Sequence, residues 1–251
     1  MIRAAARLLV LFFWCLLAVP FAAACVVLTL GSRPARMRVG AMLTRYFSRG
    51  VCAILGVRTR FAGDLPPPGG CLVTPNHWGY VDVFVLGALY RTVFVSRADV
   101  AHWPVIGAFA RVGGTLFLRR EVRRDTARVG GDVDEHLRRG GCVTVFLEGG
   151  AGSGADVRPF RSSLVAGAVA AGAPCVPVAL RYALPEDPDL DPGEVVAWTT
   201  DEFLAHAWRL LTVRRIDAEV TFLPPRTGTD RKRLARELEI DVRAVIERAP
   251  R

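Results

Sequence analysis

The chain has 251 residues, about half of them hydrophobic, and a formal net charge of +9 carried by arginine, Lys232 being the sole lysine. That length buries one substantial core, and the basic residues are scattered with no recognisable DNA- or RNA-binding module, which argues against a nucleic-acid partner. Cys15, Cys25, Cys52, Cys71, Cys142 and Cys175 stand singly, several in apolar runs, so buried reduced thiols are expected rather than a disulfide framework or a metal site.

From the N-terminus, residues 8–30 carry no charge and would reach about 35 Å as a helix, enough for a hydrocarbon core. A membrane anchor is expected there, which fits the positive mean hydropathy. An interfacial amphipathic helix follows over residues 34–57, where Arg36, Arg38, Arg45 and Arg49 are interspersed with Met, Leu, Phe and Val. Two other readings stand beside this one. Arg3, Arg7 and the small residues Ala22, Ala23 and Ala24 ahead of Cys25 also suit a cleaved signal peptide. Pro20 suits the bend of a helical hairpin that enters one leaflet and returns. Arg33, Arg36 and Arg38 after the run against Arg3 and Arg7 before it favour a cytoplasmic C-terminal domain at the inner (cytoplasmic) membrane. Membrane phospholipids with anionic headgroups are partners suited to the charge, each surface arginine adding about 1 kcal/mol near such a surface.

Beyond residue 57 short apolar runs alternate with amphipathic ones, which predicts an α/β domain over 58–251 with a mostly parallel central sheet covered by helices. Strands are expected over residues 58–62, 71–74, 92–96, 115–119, 142–147, 175–180 and 218–223, and helices over 82–90, 105–112, 122–138, 164–171, 200–211 and 230–248. In the last helix Leu234, Leu238, Val242, Val245 and Ile246 share one face, a core-packing stripe. Residues 184–193, rich in proline and acids, read as a surface loop.

Chemistry concentrates in Asn76-His77-Trp78-Gly79-Tyr80-Val81-Asp82. A strand ending at Pro75 and an apolar helix beginning near Asp82 place the segment on a connecting loop. Neutral imidazole accepts a proton from a hydroxyl near neutral pH, and a carboxylate on its other nitrogen fixes the tautomer and stabilises the imidazolium. Taken alone the spacing favours a structural loop histidine capping the helix that Asp82 helps begin. Further blocks follow in order: Val93-Phe94-Val95-Ser96-Arg97; Trp103-Pro104-Val105-Ile106-Gly107; Gly113-Gly114-Thr115-Leu116-Phe117-Leu118-Arg119-Arg120; Phe146-Leu147-Glu148-Gly149; Pro159-Phe160-Arg161-Ser162-Ser163-Leu164; Val176-Pro177-Val178-Ala179-Leu180.

With these blocks the chain, over roughly residues 45–245, resembles the lysophospholipid acyltransferase family of the 1-acylglycerol-3-phosphate acyltransferase type. The Phe-Arg-Ser-Ser-Leu run, Ala179-Leu180-Arg181-Tyr182 and the segments around Trp198 and Trp208 look most like its lyso-ornithine lipid acyltransferase branch. The resemblance implies a glycerolipid acyltransferase-like fold and transfer of a fatty acyl group from acyl-CoA or acyl-ACP to a lysolipid hydroxyl, without a cofactor. It implies His77 as base and Asp82 as its orienter, with Arg120 at the acceptor's anionic headgroup and Arg97 a weaker candidate for the same pocket. Glu148 and Gly149 are implied in acceptor binding, and Pro177 in shaping the acyl groove. Asn76 either holds the loop or donates to substrate. Arg119 and Arg120 also read as an exposed basic pair, and Glu148 as one half of an ion pair that fixes its loop.

Three positions depart from the family pattern. Gly79 stands where Ser or Thr is usual, Leu147 where Pro precedes the glutamate, and Gly149-Gly150-Ala151-Gly152-Ser153 replaces Gly-Thr. A catalytically silent lipid-binding protein, a thioester hydrolase and remodelling of another lysophospholipid are the competing readings. His102, His136 and His206 lack an acidic partner at a telling spacing and are expected to be structural.

Overall fold

The computed structural model describes residues 2–103, 106–154, 156–199 and 202–248. Seven strands occur among them: β1 Val57–Ala62, β2 Cys71–Pro75, β3 Val93–Arg97, β4 Leu116–Leu118, β5 Cys142–Thr144, β6 Cys175–Ala183 and β7 Ile216–Phe222. They form one sheet in the order β1-β7-β6-β2-β5-β3-β4, parallel throughout except for the β6–β7 pair. All five residues of β2 and the first six of β6 are buried, the continuous apolar pattern of strands covered on both faces. In β7 burial favours Ile216, Ala218, Val220 and Phe222, one face of a period-two strand.

Helices cover both faces. On one side lie α2 Arg33–Leu55, α3 Tyr80–Leu89 and α8 Phe203–Thr212, and on the other α5 Arg123–Arg138, α6 Val165–Ala171 and α9 Arg231–Arg248. Cys52, Val81, Val85 and Leu210 belong to the first core, and Val129, Val133, Ala168, Leu234 and Leu238 to the second. Each such side chain contributes about 1.5–3 kcal/mol by leaving water. Two shorter helices, α4 Ile106–Val112 and α7 Pro192–Val195, complete the body, α7 lying at the end of the expected surface loop. From β2 the chain passes through α3 to β3, skips a place that β5 later fills, and then crosses β2 to reach β6. β2 is therefore the strand at which the winding reverses, and ligands of open α/β sheets gather beyond the carboxyl ends of strands at such a point.

Most boundaries agree with the expected elements within two residues. The strand expected over 142–147 ends at Thr144, because after Val145 donates to Val73 O the chain turns, with Gly149 N bonded to Phe146 O. β6 runs on to Ala183 because the antiparallel β7 gives its second half a partner. Pro104 and Val105 of the Trp-Pro-Val-Ile-Gly block and Thr200 and Asp201 of the expected 200–211 helix lie outside the described residues.

At the N-terminus, α1 Ile2–Leu28 is continuous through Pro20. The chain reverses at residues 29–32 rather than at Pro20, where Ser32 caps α2. The two helices are antiparallel neighbours: Trp14 stacks on Phe47 and leaves no room for a side chain at Gly50. Arg7 at the start of α1 donates to the carbonyls of Leu211, Val213 and Arg214 at the end of α8, and Arg3 to that of Thr212. Phe12, Phe13, Leu16, Leu17 and Phe21 are all more than half exposed, an apolar face too large for a water-facing surface. The region expected as an interfacial helix packs one side on α3, with Ser48 against Gly87 and Cys52 in the core. Val57 is the first residue of β1, and by its contacts α2 is part of the body.

Candidate active site

His77 and Asp82 meet because of how α3 begins. Asp82 is the third residue of the helix, and its carboxylate reaches back to the exposed N-terminal amides, Oδ2 accepting from Trp78 N at 2.7 Å and Gly79 N at 3.0 Å. A helix N-terminus favours a negative charge there. The same Oδ2 lies 2.8 Å from His77 Nδ1, and Oδ1 accepts from the Tyr182 hydroxyl at 2.7 Å. A carboxylate so supplied is an acceptor only, so Nδ1 carries the proton and Nε2 presents a lone pair. Among the described residues nothing bonds Nε2. The Asp82 side chain is fully buried, whereas that of His77 is 18% exposed and stacks on Phe146 at 3.9 Å. The pair is thus a base at the surface on a buried acid.

The loop that carries His77 is pinned on every side. Asn76 exchanges two hydrogen bonds with the backbone of Leu180 in β6, at 3.0 and 2.7 Å, which uses both functions of its buried amide. Trp78 Nε1 donates to the same Leu180 carbonyl. Glu148, 4% exposed, accepts from His77 N at 2.9 Å through Oε1 and from Arg158 N at 3.2 Å through Oε2. Burial raises the Glu148 carboxyl to about 7, against the opposing pull of those two amides and of Arg158. Gly152 N donates to His77 O at 2.7 Å, and Trp198 N to Trp78 O at 2.8 Å.

That last contact gives a physical account of Gly79. A Cβ at this position would stand 3.1 Å from both Trp198 N and Val196 O, so the backbone of the 196–198 segment occupies the space of the usual hydroxyl residue. Gly149 takes φ +80, a conformation that favours glycine. Its N–H is used on Phe146 O, and its carbonyl accepts from Arg120.

Beside Phe146 lies a cavity of about 80 Å³ whose polar lining includes Ser96, Arg120, Thr126, Arg161 and Ser163. Arg120 is half-buried, and burial, Arg161 and Arg97 together hold its affinity for a proton below the usual arginine range. Two close guanidiniums on a partly dry surface favour an anionic guest. Arg97 points its fork at Asp99, with contacts of 3.0 and 2.9 Å, and its side chain is 64% exposed. Pro177 pairs with Thr74 and sits where the β6–β7 ladder is interrupted, one residue more lying on the outgoing chain than on β6 between Cys175↔Arg226 and Val178↔Phe222. A missing N–H is tolerated at such a bulge. Neither Arg97 nor Pro177 lines the cavity.

The structure adds Phe146, Arg158, Arg161 and Tyr182 to the site. Arg161 and Tyr182 stand in the Phe-Arg-Ser-Ser-Leu and Ala-Leu-Arg-Tyr runs; the pairing of β6 with β2 brings Tyr182 to Asp82, and Arg161 reaches the cavity from the loop ahead of α6. Of the other histidines, His206 is 2.8 Å from the Tyr80 hydroxyl through Nδ1 and bonds Ala197 O through Nε2, while burial lowers His136 to about 4.

The acyltransferase family model matches residues 57–181. The lyso-ornithine lipid O-acyltransferase of Pseudomonas aeruginosa is 34% identical over 81% of this chain and 78% of its own, and that of Rhodobacter capsulatus 37% identical over 76% and 71%. The 1-acyl-sn-glycerol-3-phosphate acyltransferase of Neisseria meningitidis is 31% identical over 79% of this chain and 78% of its own. In fold, the chain matches the crystal structure of the 1-acyl-sn-glycerophosphate acyltransferase PlsC of Thermotoga maritima with a TM-score of 0.72 at 16% identity, over 98% and 95% of the two chains. By the family model and by relatives of 31–37% identity that align over most of its length, the chain belongs to the acyltransferase family of these lysolipid-acylating enzymes.

Proposed function

We propose that the protein transfers a fatty acyl group from acyl-CoA or acyl-ACP to the free hydroxyl of a lysolipid, converting 1-acylglycerol-3-phosphate to phosphatidic acid. The hydroxyl proton passes to His77 Nε2 as the oxygen attacks the thioester carbonyl. The tetrahedral intermediate then collapses, the C–S bond breaks, and the thiolate leaves with the proton from the imidazolium. Asp82 stabilises that cation and holds the ring, help worth about 10² to 10⁴ in rate. Arg120 and Arg161 receive the acceptor's phosphate. The single observation that carries this reading is a part-exposed base, its Nδ1 tied to a buried carboxylate, stacked on Phe146, whose ring in turn lines an arginine-bearing cavity that His77 itself does not line.

Lyso-ornithine lipid is the second acceptor reading, favoured by the 37% and 34% identities to O-acyltransferases of that name. Product analysis with a labelled acyl donor against a panel of lysolipids separates the two by kcat/KM. A diacylated product from no acceptor of the panel overturns acyl transfer and leaves a silent lipid-binding protein, whereas one formed by the His77→Ala variant at the wild-type rate removes His77 as the base. Free thiol released without any lysolipid identifies a hydrolase. The exposed face of α1 is proposed to sit in the inner (cytoplasmic) membrane with the catalytic body in the cytoplasm, in contact with anionic phospholipids.

A further inference from the structure

Tyr182 is a buried polar group that the chemistry above does not use. It lies in the second half of β6, 7% exposed, with its ring edge-on to Trp78 at 5.3 Å and 79°. Its hydroxyl donates to Asp82 Oδ1 at 2.7 Å. The two carboxylate oxygens are unequally supplied. Oδ2 takes His77 Nδ1 and two backbone amides, all close to it in sequence, whereas among the described residues Oδ1 takes Tyr182 alone. A carboxylate tethered at one oxygen can still turn about its Cβ–Cγ bond. The second tether, from across the sheet, stops that turn.

We propose that Tyr182 is a positioning residue for the His77–Asp82 pair: its hydroxyl fixes the rotation of the Asp82 carboxylate and moderates how strongly that carboxylate holds the proton on His77. This rests on the reading of His77 as the base. Besides Asp82 on α3 and Tyr182 on β6, the titratable or charged groups at the pair are Glu148 beyond β5, on His77 N, and Arg158, whose amide holds Glu148; Cys52 of α2 lies beside Tyr182. Tyr182 is the side chain whose change strips a donor from Asp82 and leaves those contacts in place. Burial and the neighbouring Asp82 keep the phenol protonated well above the usual tyrosine range, so it donates at every pH at which the enzyme is assayed.

The test is Tyr182→Phe, read by the pH profile of kcat/KM and by NMR titration of the His77 ring. With Oδ1 bare, Asp82 draws the imidazolium more strongly. The acid limb and the ring titration should both move up by about one pH unit. Kcat should fall about 3- to 30-fold as the carboxylate gains freedom, with KM for donor and acceptor within about twofold of wild type. Replacement of Tyr182 by 3-fluorotyrosine, a stronger donor of nearly the same shape, should move the titration the other way and serves if the phenylalanine variant does not fold. If His77 titrates alike with tyrosine and with either replacement, Tyr182 is a packing residue and the inference fails. Activity that survives His77→Ala instead removes the base reading beneath it, a result that leaves the ring titration unaffected and so is told apart from the first.

Discussion

Oδ2 of Asp82 sits where three donors converge, and each of them prefers the ionised carboxylate. Asp82→Asn can keep an amide oxygen toward these donors and turn its NH₂ to the Tyr182 hydroxyl, but it carries no negative charge to stabilise the imidazolium. Acyl transfer should fall by about 10² to 10⁴ with the protein still folded, a loss read directly as kcat/KM. Glu148 titrates differently, because its carboxyl is raised from 4.5 to about 7 by burial. The folded state therefore binds that proton more tightly than the unfolded chain, so the contribution is complete below about 4.5 and is lost as pH rises through about 7. Glu148→Gln lacks this dependence. Its thermal midpoint should gain on wild type across that window, by of the order of 3 kcal/mol in total, and parallel curves for the two proteins would refute the assignment. At this scale the His77–Asp82 contact is legible in the sequence because a carboxylate at the third position of a helix reaches back over the preceding turn, a strictly local matter. Tyr182, about 100 residues downstream, is not, since nothing in a linear pattern says which strand lies beside β2.

Among the elements, the start of α3 is held by the 196–198 segment, and Gly79 marks the contact. Gly79→Ser should cost about 1–3 kcal/mol, since its Cβ meets backbone atoms of the 196–198 segment that must shift by a few tenths of an ångström to admit it. The melting temperature should drop by several degrees, with activity lost in proportion to displacement of His77. No change in melting would mean that the segment yields freely. The antiparallel β6–β7 pair also escapes a sequence reading. An alternation of apolar runs predicts parallel strands, and the direction in which β7 runs is set by the route of the chain through α8 rather than by its own residues. β5 ends early for a related reason, its last expected residues being drawn into the turn that aims Glu148 at the His77 amide.

For the molecule as a whole, α1 and α2 form one hairpin whose base is fixed to the catalytic body. The apolar length of α1 is plain from composition. Its reversal at residues 29–32 is not, because Pro20 draws attention to a bend that the helix does not make there. Exchange of Phe12, Phe13, Leu16 and Leu17 for serine should abolish co-flotation with anionic vesicles, since each buried apolar side chain is worth about 1.5–3 kcal/mol at the interface. Retention on vesicles would place the membrane contact elsewhere. Arg7→Ala should free the base of the hairpin from α8, seen as faster amide exchange across α8 without loss of the sheet's protection.

The arginine clamp at the start of α1 also decides sidedness. With Arg3 and Arg7 seated on the carbonyls that end α8, the membrane placement proposed for α1 requires its first turn to share an aqueous compartment with the imidazole. A membrane-impermeant thiol reagent applied to sealed vesicles should then label an Ile2→Cys variant and an Asp64→Cys variant alike, or spare both.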